Sequence, residues 1–174
     1  MKSVRVPKLD LKGKSFRITV PSSKSIANRA LILAALSRGK FTLRGDFEAE
    51  DIQLMIQALK QLGAQLASVK EGVLFQNDLR WMGSPTRLKL FLGNSGTSMR
   101  FLTSLVCFRR GETVLIGSAR MKERPIKDLV DALRQLGAEI VYLEKQGFPP
   151  IRVIGKGDLR GGQVKIAADL SSQF

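Results

Sequence analysis

The sequence predicts an α/β protein built from a repeated unit, and three observations lead to this prediction. Two helix endings are nearly identical, QALKQLGAQL at 57–66 and DALRQLGAEI at 131–140. Each is preceded by a polar turn, an Arg and an apolar helix, in SKSIANRALILAAL at 23–36 and NSGTSMRFLTSLVC at 94–107. Short β-rich runs lie between the helices. Repeats of this length usually represent one supersecondary unit used several times.

The distance between the copies is nearly constant along the chain. The two helix endings are offset by 74 residues, and the arginines Arg29 and Arg100 are offset by 71. SSQF at 171–174 follows SMRF at 98–101 with an offset of 73 residues. We interpret SSQF as the start of a third copy, so that the chain is expected to be truncated. The alternative is that two degenerate repeats form a complete small domain.

The helices are predicted from apolar spacing and from their ends. In the first helix ending, four apolar residues recur at helical spacing: Ile52, Met55, Ile56 and Leu59. Gly63 and Gly137 then stand where a left-handed C-cap is needed. A short strand is expected after each glycine.

Strands are predicted in four β-rich runs, at 87–93, 113–117, 151–155 and 163–167. They fit between the predicted helices. Each unit therefore contains two strands and two helices plus a closing hairpin.

Composition restricts the function classes. The net charge of +14 implies an anionic partner, which is nucleic acid, an acidic membrane surface or a small phosphorylated substrate. Only 6% of the residues are aromatic, which gives few platforms for stacking bases. Histidine is absent, and Cys107 lies in an apolar run, where we expect a buried structural thiol. With no signal peptide and no membrane-spanning apolar run, a cytoplasmic location is expected.

An anion site is predicted where the equivalent helices begin, at 22–26, 94–98 and 170–172. Helix N-termini offer N–H groups and a partial positive charge. Lys24 and Arg29 add full charges near the first helix start, and Arg100 adds one near the second. The simpler interpretation of each residue alone is a helix cap, for Ser22, Ser23 and Ser25, or a solvated charge, for Lys24.

A basic cluster precedes the second helix ending. RMKERPIKDL at 120–129 contains four basic residues: Arg120, Lys122, Arg124 and Lys127. Pro125 is placed to open a helix. A solvated face and a functional cluster are both possible interpretations.

Four motifs in order resemble the 5-enolpyruvylshikimate-3-phosphate (EPSP) synthase family. They are PSSKSIANRALILAAL (21–36), LGNSGTSMRFL (92–102), RMKERPIKDLVDALRQLGA (120–138) and SSQF (171–174). The resemblance implies enolpyruvyl transfer from phosphoenolpyruvate to the 5-hydroxyl of shikimate 3-phosphate, through a tetrahedral intermediate and with release of phosphate. It also implies no cofactor and no metal, and a monomeric full-length enzyme. The implied fold has two similar domains, each of three βαβαββ units.

The resemblance assigns site residues by position. Ser25 and Arg29 correspond to residues that hold shikimate 3-phosphate, and Lys24 corresponds to a catalytic lysine that reaches both substrates. Further shikimate 3-phosphate residues are implied in the third motif: Ser171, Ser172 and Gln173. The remaining phosphoenolpyruvate residues are Asn94, Gly96 and Arg124. Phe101 stands where many members have proline, which leaves sensitivity to the inhibitor glyphosate open.

The resemblance divides the chain into two parts. Residues 1–20 are expected to pair with a second domain, and 21–174 to form an incomplete first domain. The family's second-domain acid–base residues, including a histidine, have no counterpart here. We therefore expect no turnover from these 174 residues alone and no nucleic-acid or membrane partner. The alternative from another class is a basic nucleic-acid-binding module, in which the net charge is the function.

Overall fold

Two sets of elements follow one another in the same order along the chain. The computed structural model describes residues 12–13, 15, 17, 22–83 and 86–166. The first set has five elements: α1 (Lys24–Ala35), β1 (Gly39–Arg44), α2 (Glu50–Leu62), β2 (Leu66–Val69) and β3 (Gly72–Asn77). The second set has six: β4 (Thr86–Phe91), α3 (Gly96–Cys107), β5 (Gly111–Ile116), α4 (Lys127–Gln135), β6 (Glu139–Tyr142) and β7 (Ile151–Gly155). Short 3-10 turns occupy Arg80–Gly83 and Ala119–Glu123.

The two sheets share one pairing pattern. In the first sheet, of order β1-β3-β2, β3 is antiparallel to both neighbours. In the second sheet, of order β4-β5-β7-β6, β7 is likewise antiparallel to β5 and β6. The additional strand β4 runs parallel to β5, with α3 as the crossover between them. The mixed α/β prediction is confirmed, while the third copy lies outside the described residues and stays a prediction.

The helices of the two sets pack against one another. Among them, α1, α2 and α3 are in mutual contact, while α2 also contacts β4 and α3 contacts β5 and β7. The apolar spacing predicted for α2 is confirmed, because its periodic residues are all buried: Ile52, Met55, Ile56 and Leu59. α3 is buried on most of its surface and ends at Cys107, whose thiol is buried as predicted.

Both predicted glycine caps are present. Gly63 has φ 101° and Gly137 has φ 93°, in the left-handed region that costs other residues energy. Gly63 N donates to Lys60 O at 2.9 Å, and Gly137 N donates to Arg134 O at 2.9 Å. Each chain turn then leads directly into a short strand, β2 or β6.

One predicted strand is wrong. The described part of the run at 163–167, residues 163–166, is irregular. The hydrogen bond that this run makes within the described residues comes from Gln135 Nε2 to Lys165 O, at 3.4 Å. A side chain of α4 therefore contacts the run, and no described strand extends it into a ladder.

The expected pairing of residues 1–20 falls almost entirely outside the described residues. In the described part of the chain, no helix combines the length and apolar character needed to cross a bilayer.

Candidate functional site

The start of α1 has no side-chain cap. Ser23 occupies the N-cap position without making a capping hydrogen bond, and the first turn contains no acidic residue. The first N–H groups of a helix have no intrahelical acceptor, so they and the partial positive charge remain for an external anion. Ser25, in this turn, is exposed. The simpler interpretation of Ser23 as a helix cap is therefore wrong, while the prediction of a helix starting here is confirmed.

Lys24 is held over the start of α2. Its Nζ lies 3.8 Å from Asp51 Oδ2, and the Lys24 side chain is largely exposed. The backbone oxygen of Asp51 in turn accepts a hydrogen bond from Ser98 Oγ of α3, at 3.4 Å. The starts of α1, α2 and α3 therefore meet at one place. Sequence reasoning missed Asp51, because an acidic residue in the first turn of a helix is common for dipole reasons alone.

Arg29 links α1 to α3. Its Nη1 donates to Ser25 O at 3.0 Å, one turn earlier on α1. Its guanidinium lies over the ring of Phe101, 5.3 Å from the centroid. Phe101 thus supports the arginine by a cation–π contact. This phenylalanine stands where many members of the family that the sequence resembles have proline. The side chain of Arg29 remains exposed.

Arg124 lies against the start of α3. Its Nη1 donates to Asn94 O at 3.1 Å. A Cβ added to Gly96 would lie 2.5 Å from Arg124 Cζ, closer than any side chain tolerates. Glycine at this position is therefore what allows the guanidinium to approach the backbone. The structure brings together Asn94, Gly96 and Arg124, as the site prediction requires.

Arg100 is buried rather than available to a ligand. It is 6% exposed, and it donates from Nη1 to Gly96 O at 3.2 Å and from Nη2 to Pro125 O at 3.0 Å. Burial, and then the nearby charge of Arg124, lower the pKa of its guanidinium. The expectation that Arg100 adds charge to an anion site like Arg29 is therefore corrected. Arg100 ties the start of α3 to the loop that carries Arg124.

The basic cluster at 120–129 is divided by the fold. Lys122 Nζ pairs with Glu144 Oε1 at 2.7 Å, and Lys127 pairs with Asp131. α4 begins at Lys127, so Pro125 precedes the helix instead of lying in its first turn. Of the four basic residues, Arg124 is the one that contacts the start of α3 in the described structure.

A single surface therefore contains the predicted residues that the structure describes. It extends from the uncapped start of α1, through Asp51 and Ser98, to the start of α3 and Arg124. Three positively charged side chains lie along it: Lys24, Arg29 and Arg124. Such an arrangement suits a ligand with several phosphate or carboxylate groups, because arginine binds these groups with paired N–H donors. The third predicted part, Ser171, Ser172 and Gln173, lies outside the described residues.

Comparison with known proteins identifies the same family that the motifs resemble. The family model described as EPSP synthase (3-phosphoshikimate 1-carboxyvinyltransferase) matches residues 10–174. A 3-phosphoshikimate 1-carboxyvinyltransferase of Shewanella sp. (strain ANA-3) is 48% identical over the whole chain, and one of Shewanella baltica is 46% identical. The chain spans 41% of the length of each of these relatives. A solved EPSP synthase structure from Acinetobacter baumannii is similar with a TM-score of 0.78 at 30% identity, covering 90% of this chain and 35% of that one.

Proposed function

Because the chain belongs to the EPSP synthase family, we propose that it binds substrate in a protein that transfers an enolpyruvyl group. The donor is phosphoenolpyruvate, the acceptor is the 5-hydroxyl of shikimate 3-phosphate, and the products are 5-enolpyruvylshikimate 3-phosphate and phosphate. The observation that carries the proposal is the surface on which Lys24, Arg29 and Arg124 converge at the starts of α1 and α3. This reaction belongs to aromatic amino-acid biosynthesis, which we place in the cytoplasm.

Shikimate 3-phosphate is assigned to the α1 side of this surface. The uncapped helix start offers N–H donors and a partial positive charge, and Ser25 offers a hydroxyl. Arg29, supported by Phe101, supplies the full charge that pairs with a carboxylate or phosphate. The proposed binding site for this substrate also includes Ser171, Ser172 and Gln173.

Phosphoenolpyruvate is assigned to the α3 side. Arg124 presents its guanidinium beside Asn94 and Gly96, and one of its donors is already used on Asn94 O. The remaining N–H groups are suited to a carboxylate or phosphate oxygen. Lys24, held by Asp51 at the junction of the helices, lies between the two assigned substrate regions.

The proposed chemistry is addition followed by elimination. The 5-hydroxyl oxygen forms a bond to C2 of phosphoenolpyruvate and loses its proton, while C3 gains a proton. The tetrahedral intermediate then releases phosphate as C3 loses a proton, which restores the double bond. The described residues supply binding and positive charge for the phosphate that leaves. We propose that the 174 residues alone bind without turnover, since the chain spans 41% of its relatives.

Calorimetric titration with shikimate 3-phosphate tests the proposal. We expect saturable binding by the wild-type chain. Arg29→Ala should weaken it by about tenfold or more, because a hydrogen bond to a charged group contributes about 1.5–3 kcal/mol. Arg87→Ala is the matched control, since Arg87 is an exposed arginine of β4 that pairs with Glu112 at 4.0 Å. Equal weakening by both substitutions, or no wild-type binding, would contradict the assignment of Arg29.

The nucleic-acid alternative is tested by the same variants. Filter binding to single-stranded DNA at increasing salt should show only weak binding that both substitutions reduce alike, as expected of a nonspecific charge effect. Tight DNA binding with a steep salt dependence, combined with no response to shikimate 3-phosphate, would favour the alternative. A phosphate-release assay with both substrates should show no turnover, and clear activity would contradict that part of the proposal.

A further inference from the structure

A groove of about 520 Å³ lies beside the end of α2. This volume is within the usual range for small-molecule sites. The groove is lined by residues from four places: the end of α2 with the turn that follows it, the segment from Asp78 to Trp81, the strand β4, and Arg109. None of its lining residues belongs to the candidate functional site.

The groove and the candidate site are at opposite ends of the same elements. β4 begins at the groove with Thr86 and ends three residues before Asn94. α3 begins at Gly96, in the candidate site, and ends two residues before Arg109. Since a helix rises 1.5 Å per residue, the 12 residues of α3 extend about 18 Å. A ligand in the groove therefore cannot contact the residues assigned to the two substrates.

Arg109 is a buried cation. The residue is 2% exposed and is the largest fully buried side chain of the described structure. Its Nη1 donates to Arg110 O at 3.1 Å and to Thr86 O at 3.5 Å, and its Nη2 donates to Thr86 Oγ1. Within the described residues no carboxylate forms an ion pair with Arg109, and its Nε has no hydrogen-bond acceptor. A buried charge without a countercharge is costly, so this arginine is suited to an added anion.

Two further features favour an anion. The Trp81 side chain is buried, and its Nε1 has no acceptor among the described residues. Asp78, the acidic residue of the groove lining, is already paired with Arg80, whose backbone N and Nε both donate to it. Arg109 is thus left as the unbalanced charge, and the groove wall has net positive charge.

We propose that this groove is a second ligand site, which binds a small organic anion through its carboxylate or phosphate. The charged group lies beside Arg109, and the rest of the molecule contacts the apolar part of the lining, from Leu62 and Leu88. In such a partly enclosed place a charge-assisted hydrogen bond is stronger than in water. The proposal does not rest on the proposed function, because the groove shares no residue with the substrate surface.

Trp81 makes the proposal measurable, since it is the single tryptophan of the sequence. The probes are inorganic phosphate, which carries charge alone, and benzoate, which adds an apolar ring to a carboxylate. Each is titrated into the wild-type chain while Trp81 emission and the melting temperature are followed. We expect a saturable emission change and a rise in melting temperature with at least one probe. Benzoate binding alone would assign a carboxylate ligand, and phosphate binding alone a phosphate ligand.

The variants separate the groove from the rest of the surface. Arg109→Met should weaken binding by at least about tenfold, since it removes the charged donor. Arg110→Met is the matched control, because Arg110 is exposed and is not part of the groove lining. Gln65→Glu, on the exposed rim, adds a carboxylate without removing Arg109 and should weaken binding severalfold in a folded chain. Arg124→Met should leave the Trp81 emission response unchanged, which separates this site from the phosphoenolpyruvate assignment.

Two results would overturn the proposal. One is the absence of a saturable Trp81 response to both probes in the wild-type chain. The other is a wild-type response that Gln65→Glu and Arg109→Met leave intact, which would place the anion elsewhere. If Arg109→Met does not fold, the Gln65→Glu and wild-type titrations decide the question without it.

Discussion

The two sets of elements contain arginines at equivalent positions, yet the two side chains have different roles. Arg29 donates to Ser25 O and Arg100 donates to Gly96 O, each to a carbonyl one turn earlier. Arg29 is exposed and lies over Phe101, whereas Arg100 is buried and also donates to Pro125 O. The same local contact thus belongs to an exposed side chain at the start of α1 and to a buried, structural one at the start of α3.

The difference follows from what surrounds each helix. α3 lies between its sheet and the two helices of the first set. Both Nη atoms of Arg100 therefore donate to backbone oxygens of the protein. α1 has a face that no described element covers, with Ile26 70% and Leu33 66% exposed. A duplicated unit therefore keeps its backbone contacts, while its position in the fold decides whether its arginine is exposed or buried.

The largest expected effect is on stability, from Arg100→Met. This substitution removes donors from Gly96 O and Pro125 O in a buried place and should lower the free energy of unfolding by about 2–4 kcal/mol. Arg29→Met should lower it by about 1 kcal/mol or less, the usual magnitude of an exposed cation–π contact. Urea denaturation of both variants checks this. Similar losses would show that the two arginines are structurally equivalent.

The next effect concerns phosphoenolpyruvate binding. Gly96→Ala places a Cβ 2.5 Å from Arg124 Cζ, so the guanidinium must move away from the start of α3. We expect phosphoenolpyruvate binding, measured with shikimate 3-phosphate present, to weaken by about tenfold or more. The control is Ser25→Ala at the equivalent position of α1, which should affect shikimate 3-phosphate instead. Reversal of these two effects would contradict the division of the surface between substrates.

A smaller difference is expected between the glycine caps. Both Gly63→Ala and Gly137→Ala force alanine into a left-handed conformation, at a cost of about 1 kcal/mol or slightly more. At Gly63 the new Cβ also lies 3.0 Å from Trp81 Cβ, whereas at Gly137 the nearest atom, in Arg160, is 3.8 Å away. Gly63→Ala should therefore be the more destabilising change. Thermal unfolding of the pair gives the comparison, and a larger loss for Gly137→Ala would refute it.

The smallest effect on stability at neutral pH is expected from the thiol at the end of α3. Burial raises the pKa of Cys107 to about 12 from an ordinary value of 9.0. The buried, protonated thiol therefore makes its full contribution to stability below pH 9, and this contribution is lost as pH rises towards 12. Labelling by a thiol reagent at pH 8 should be slow in the native chain. At the equivalent position of α1, Leu36 is 41% exposed. The double variant Leu36→Cys with Cys107→Ala should then label faster by a factor on the order of 100, and equal rates would contradict the difference in burial.

Local patterns in the sequence predicted much of the fold. The spacing of Ile52, Met55, Ile56 and Leu59 and the caps at Gly63 and Gly137 depend on neighbours within one or two turns, so the sequence contains the required information. The run at 163–167 had the composition of a strand. A strand also needs a partner, however, and local composition does not specify one.

The candidate site was predicted less completely. The motifs indicated Lys24, Arg29, Asn94, Gly96 and Arg124, and the structure places all five on one surface. Asp51 and the burial of Arg100 could not be predicted, because both depend on how helices from different sets pack together. Arg29 and Arg100 occupy similar sequence contexts, so only the tertiary structure distinguishes them.

Amide hydrogen exchange can distinguish the start of α1 from the start of α3 as the binding element. The free chain is compared with the chain saturated by shikimate 3-phosphate, and protection is followed in the first turns of α1 and α3. We expect the first turn of α1 to exchange rapidly in the free chain and to become protected on binding, while α3 stays protected throughout. Unchanged exchange at α1 despite saturation, or new protection confined to α3, would contradict the claim that the first helix start is the binding element.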